Sequence, residues 1–252
     1  MTNNKIYIHE FIDIIGHNRA NYMHHMTANF SPMAQRDRNQ LCYGVWGTVG
    51  TTRRWPEVVN MWEEDGWDGM ASSFRHEFNH PTLQDPALAA WWARAAQFRR
   101  SGVDRLILPA EWTRTIEELC ADGVRGECYA HELVSVKPGT AWHYVDDLVQ
   151  HRAVPVYARF GWELAGAFVT AMHDDSEVIL LWAIPTWEQW AELEKAQRKD
   201  ADLKAWRTDT AELTTSFDRF LLVDAPLSPF RTGRQPAESD RASFTLPDEK
   251  HS

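Results

Sequence analysis

The chain has 252 residues, 44% apolar and 25% charged, with a formal charge of -10, enough for one large domain or two small ones with a sizeable core. Acids and bases are interleaved along it, so no basic face gathers for nucleic acid or for an anionic membrane surface. The opening MTNNKIYIHEF lacks a basic segment followed by an apolar one, so no secretory signal is read there, and the longest strongly apolar run, VILLWAIP, is far too short for a bilayer. Cys42, Cys120 and Cys128 cannot pair completely and show no metal-ligand spacing, which fits reduced thiols in a cytoplasm.

Residues 5–14 alternate in the manner of a strand, and Met23, Met26, Phe30 and Met33 then recur at helical spacing. Segments 41–50 and 57–63 read as strands, 67–79 and 86–100 as helices, and 103–109 as a closing strand. After a link, 111–125, the order returns. A strand covers 126–136, and a helix carries Trp142, Val145, Leu148 and Val149. Strands at 162–172 and 177–184 follow, then helices at 187–198 and 201–215, and a strand at 217–223.

The two halves are copies. YIHEF from Tyr7 returns as YAHEL from Tyr129, and Tyr22 meets Tyr144 at the same offset. EVVNMWEEDGW from Glu57 matches EVILLWAIPTW from Glu177, pairing Trp62 with Trp182 and Trp67 with Trp187. Trp92 precedes VDRLIL as Trp206 precedes FDRFLL, which pairs Asp104 with Asp218 and Arg105 with Arg219, residues that suit structural ion pairs. The order β-α-β-β-α-β is the ferredoxin-like unit. The expected fold is therefore α+β: two fused ferredoxin-like repeats, 1–110 and 126–226, forming an eight-stranded α+β barrel, with a polar tail at 227–252.

Alternation in the first strand puts Ile6, Ile8, Glu10, Ile12 and Ile14 on one face, and Tyr7, His9, Phe11 and Asp13 on the other. The copy puts Ala130, Glu132, Val134 and Val136 opposite Tyr129, His131 and Leu133. The aliphatic faces should meet helices and the Tyr/His faces the space between the sheets. Trp46, Trp162 and Phe168 are expected to face inward as well, with Ala165, Ala167 and Ala171 beneath helices; Trp62 and Trp182 suit either layer.

Such an interior suits one small, mostly apolar or aromatic molecule. His9 and His131 are the candidate proton carriers, Tyr7 and Tyr129 the candidate oxyanion donors, and Phe11, Trp46, Trp62, Trp162, Phe168 and Trp182 the candidate walls. The same two histidines also read as hydrogen-bonded core residues inherited through duplication. Glu10 and Glu132 point the other way, so no Glu–His dyad is expected on one strand.

HEFNH at residues 76–80 fits H-E-x-x-H, the zinc-peptidase pattern. No third ligand follows, and Pro81 pushes His80 away from helical geometry. The aligned positions in the other repeat are Ala196 and Asp200, so the match is read as accidental and no metal is expected.

YAHELVSVKPGTAWHYV and EVILLWAIPTWEQW resemble the NIPSNAP family within the dimeric α+β barrel superfamily, through Lys137-Pro138-Gly139, Glu177-Val178 and Trp182, and through Glu57-Val58-Val59 and Trp62 in the first half. DRLILP at 104–109 resembles the family's last strand. Asn60 and Leu180 stand where that family often has His. The superfamily hosts haem enzymes, cofactor-free oxygenases, cyclases and lyases, and related barrels self-associate. Three readings follow from the residues and the resemblance together. One is a cofactor-independent lyase, isomerase, cyclase or oxygenase using His9 or His131. Another is a haem enzyme ligated by His76 or His80. The third is a non-catalytic ligand-binding module.

Overall fold

Each period-two segment becomes a strand, since β-branched and aromatic residues suit a pleated surface with two faces. The computed structural model describes residues 2–241. The first repeat supplies β1 (Ile6–Ile14), β2 (Leu41–Thr48), β3 (Glu57–Glu64) and β4 (Arg99–Pro109). The second supplies β5 (Cys128–Val136), β6 (Glu163–Thr170), β7 (Glu177–Ile184) and β8 (Thr214–Asp224). They close into one antiparallel barrel, ordered β1-β3-β2-β8-β5-β7-β6-β4. Its two seams are short and equivalent: Trp46–Thr48 pair with Leu222–Asp224, and Ile107–Pro109 with Phe168–Thr170.

Helices lie over the outside. The first repeat has α1 (Arg19–His24), a wide π-helical turn (His25–Phe30), α2 (Ser31–Arg38), α3 (Gly66–Phe78) and α4 (Pro86–Ala95). The link folds as α5 (Ile116–Ala121), started by a capping box between Thr115 and Glu118. The second repeat has a π-helical stretch (His143–Ala153), α6 (Val154–Ala158), α7 (Trp187–Ala196) and α8 (Ala201–Ala211). Asp85 and Asp200 each accept two backbone N–H groups and so start α4 and α8 at matching places. Both of these helices end earlier than their periodicity suggests, because Arg99–Val103 pair with β1 and Thr214–Phe217 with β5.

Three apolar layers result. Tyr7, Phe11, Tyr43, Trp46, Tyr129, Phe168 and Phe220 fill the barrel. Ile12, Val58, Trp62, Leu88 and Trp91 lie beneath the first repeat's helices, and Val134, Val178, Trp182, Leu193 and Leu203 beneath the second's. The inward and outward faces of β1 and β5 are those that alternation predicts.

β2 and β6 depart from alternation at one shared point. Each carries a bulge, between Cys42 and Gly44 and between Leu164 and Gly166. The extra residue turns Tyr43 and Trp46 both inward, and likewise Ala165 and Phe168. Ala165 therefore faces the interior, while Trp162 packs under the helices; both placements correct the expectation from strict alternation. A Cβ on Gly44 would collide with the Trp46 indole, and one on Gly166 with the Phe168 ring. Gly44→Ala should accordingly cost about 1–2 kcal/mol, read as a lower midpoint in urea; an unchanged midpoint would mean the indole has another place to go.

The tail is partly structural. Its short helix, α9 (Pro229–Thr232), buries Phe230 against Tyr43, Trp46 and Tyr129. Gln235 then pairs with both the N–H and the C=O of Cys42. Of the polar tail read at 227–252, residues up to 241 wrap along the first repeat, and residues 242–252 lie outside the described residues. The three cysteines are unpaired, and among the described residues no helix is long and apolar enough to cross a membrane.

Candidate functional site

The barrel brings His9 and His131 together, but onto each other. Their Nε2 atoms are 2.8 Å apart, as duplicated positions must be when they face one another across a pseudo-two-fold axis. Both rings are completely buried. His131 stacks on Phe220, and His9 meets Phe11 edge-on. Arg53 lies over Phe11 and Phe220, and Arg105 over Phe11. Burial pushes both histidines below the ordinary imidazole range, His131 to about 3, and the nearby Arg53 and Arg105 push the same way. A neutral pair results, one ring donating Nε2–H to the other. Both Nδ1 atoms are unpartnered.

Tyr7 and Tyr129 are also interior and also engaged. Tyr7 donates to Glu63 at 2.9 Å, and Tyr129 to Asp224 at 2.7 Å. Phe11, Trp46 and Phe168 line the same interior, packed among these rings. Trp62, Trp162 and Trp182 do not share it: all three lie on the outer face, beneath helices. The aromatic residues that should wall a central void thus fill the barrel or leave it.

Open space lies outside the barrel, between each repeat's sheet and its helices. The second-repeat cavity holds about 360 Å³ and is lined by Tyr144, Tyr157, Trp206, Arg207, Thr210, Ala211, Thr214, Phe217 and Arg219. Arg219 organises it. Its Nε donates to Glu132 Oε1 at 2.8 Å, and its terminal nitrogens reach Glu132 again, Glu194 at 3.4 Å and the Tyr157 hydroxyl. The guanidinium also stacks against Tyr157, Trp162 and Phe217. Burial pushes the Tyr157 phenol up to about 12, while the Arg219 charge pulls it back. Because Tyr157 accepts from Arg219, its own hydrogen is left to donate, polarised by the cation behind it.

The first-repeat cavity is smaller, about 180 Å³, and its walls include Glu10, Gln40, Trp62, Trp91, Trp92 and Asp104. Glu10 Oε2 accepts from Trp62 Nε1 at 2.7 Å and from Asn60 Nδ2 at 3.0 Å.

Sequence matching pairs Arg105 with Arg219, but the ladders do not. Glu10 faces Asp104 across β1 and β4, whereas its copy Glu132 faces Arg219 across β5 and β8. The two DR motifs are one residue out of structural register, and one residue changes the face. Arg105 therefore turns toward Phe11 and pairs with Glu177 at 3.2 Å, while Arg219 turns outward beneath the helices. The expected ion pairs form for Arg105, Arg219 and Asp218, the last with Arg53 at 2.7 Å.

The HEFNH segment holds no site. His76 is exposed, His80 Nδ1 bonds Thr82 Oγ1 at 2.8 Å, and Glu77 pairs with Arg38 at 3.2 Å. Among the described residues no cluster of three or more His, Cys, Asp or Glu is placed to hold a metal ion. A haem ligated from this helix needs an axial side chain facing a cavity, and neither outer cavity is lined by a histidine or a cysteine. Residues 67–80 do not fit that group.

No family profile and no curated protein matches the sequence. Solved structures do match. An anthrone oxidase-like protein aligns over 98% of this chain and 99% of its own, at 10% identity and TM-score 0.59. A monooxygenase so named provisionally, from Lactobacillus acidophilus, aligns over 94% and 97%, at 10% identity and TM-score 0.58. The chain is a fused α+β barrel. A mutant chlorite dismutase from Candidatus Nitrospira defluvii aligns over 88% of this chain and 92% of its own, at 11% identity and TM-score 0.50. A NIPSNAP family protein from Agrobacterium tumefaciens aligns over 42% of this chain and 95% of its own, at 18% identity and TM-score 0.37. At these identities the likeness is one of fold.

Glu10, Glu132, Tyr157, Arg219 and Trp206 were not among the candidates that strand alternation selects. A carboxylate repeated within an otherwise aliphatic strand face was the available signal for the first two. Tyr157 left none, and only the strand ladder shows that Arg219 falls opposite Glu132.

Proposed function

We propose that this barrel binds a small planar aromatic molecule carrying a carbonyl, enolic or phenolic oxygen in the second-repeat cavity, and acts on it by acid–base chemistry without a cofactor. The observation that carries this reading is the Tyr157 hydroxyl, held by Arg219 in an aromatic-walled space of about 360 Å³. That volume falls in the range of small-molecule pockets. An oxygen docked on Tyr157 meets a donor already polarised by a cation. When an adjacent C–H or O–H of the ligand gives its proton to water, the electron pair left behind moves onto that oxygen, where the preorganised donor stabilises it. Isomerases, lyases, cyclases and cofactor-free oxygenases share this half-step, and the solved neighbours of similar fold carry oxidase and monooxygenase names. His9 and His131 take no part in it, since they hold each other inside the barrel.

The test uses 2-naphthol as probe. Bound to the wild type, it should ionise about one pKa unit below its value in water, followed by its absorbance. Tyr157→Phe should lose most of that shift while still binding the ring. A probe that binds but ionises as it does in water would refute the reading.

A further inference from the structure

Duplication has left two outer cavities with opposite electrostatics. In the second repeat the carboxylate Glu132 is neutralised by the guanidinium across the ladder; in the first, Glu10 faces another acid, Asp104. Glu10 is 8% exposed, while Asp104 is exposed. Two carboxyl groups opposite each other on one sheet face repel unless a proton or a cation stands between them.

We propose that the first-repeat cavity is a second ligand site, taking a small protonated amine whose ammonium group lies between Glu10 and Asp104. One buried acceptor there is unpaired. Gln40 lines the cavity, is 1% exposed, gives its amide N–H to Glu64 at 2.7 Å and leaves Oε1 without a partner. An N–H donor is what that oxygen lacks. The walls suit the rest of the ligand: Trp62, Trp91, Trp92 and Phe30 present aromatic faces, on which an ammonium group is also stabilised.

Arg38 is tied to Glu77 at 3.2 Å and to Ser73 at 2.7 Å, whereas Arg99, over Trp92, is near enough for its charge to favour both carboxylates but forms an ion pair with neither. Burial, and secondarily the charge of Asp104, raises Glu10 to about 7, so an arriving cation would draw its proton off. A cavity of about 180 Å³ is comparable to one that admits a benzene-sized guest. A single-ring or short-chain amine therefore fits, and a polycyclic one does not.

Calorimetric titration of the full chain with benzylamine and with benzyl alcohol at pH 8 tests this without any mutation. The amine, protonated at that pH, should bind at least about tenfold more tightly than its neutral analogue. Asp104→Asn, at an exposed position, and Glu10→Gln should each reduce that preference to about threefold or less. Tyr157→Phe, in the other cavity, should leave it intact. Equal affinity for the two probes, absence of saturable amine binding, or an Asp104→Asn variant with the full preference would each overturn the proposal.

Discussion

Replacing Arg219 with methionine should lower the unfolding free energy by about 3–5 kcal/mol, because it strands a buried carboxylate. Glu132 is 1% exposed, takes a hydrogen bond from Nε of that guanidinium at Oε1, and has one terminal nitrogen 2.7 Å from the same oxygen. On its other side, across β7, its neighbour is the uncharged Leu180. The loss is one of uncompensated charge more than of a favourable bond, so removing both partners together should recover most of it. Urea unfolding of Arg219→Met, of Glu132→Leu and of the double variant forms the cycle. If Arg219→Met costs under about 1 kcal/mol, Glu132 has found water or a proton instead, and the buried pair does not organise the cavity as described.

The second large effect is expected at the histidine pair. His9→Leu or His131→Leu alone should cost about 1–3 kcal/mol, since the remaining Nε2 loses its hydrogen-bond partner in a buried interior. The double leucine variant should be close to either single one, or better, because two apolar side chains then meet. The pH dependence has a definite sign. Both histidines are held below their ordinary pKa in the folded chain, so the unfolded chain binds protons that the native one refuses. Their contribution to stability is complete above the unfolded imidazole pKa of about 6.5 and drains away as pH falls toward the folded value. Glu10 and Asp224, both raised to about 7, slope oppositely: they stabilise below the ordinary carboxylate range and lose that contribution as pH rises through 7. The double leucine variant should therefore show a shallower acid-side decline in stability and keep the neutral-side one. An acid limb identical to that of the wild type would place the titrating groups elsewhere.

How far the chain could be read before its fold was seen depended on whether the period of two ran unbroken. In β1 and β5 it does, and the Tyr/His and aliphatic faces fall where counting puts them. In β2 and β6 a bulge interrupts the count, so Trp162 and Ala165 exchange layers relative to expectation. The sign of that bulge was present, as a glycine two places before a large ring in both copies, Gly44 before Trp46 and Gly166 before Phe168. The duplication was legible from repeated words, but the closing strands show what such matching misses. Identity aligned Arg105 with Arg219, whereas hydrogen-bond register aligns Asp104 with Arg219, and only the ladder reveals that slip. Two inward aromatic faces suggested a void between them. Seven large rings and two imidazoles pack into that space, and cavities lie on the far side of the strands, beneath the helices. Phe230, which packs against the barrel interior from the tail, sits in a stretch with no periodicity at all.

The most direct test of the account is where 2-naphthol lands. In a spectrum of the indole N–H groups, the account predicts that saturating naphthol shifts Trp206, which lines the second-repeat cavity, and leaves Trp46, inside the barrel, unmoved. A shift at Trp46 with Trp206 unchanged would contradict it, and would return the chemistry to the barrel interior and its two histidines.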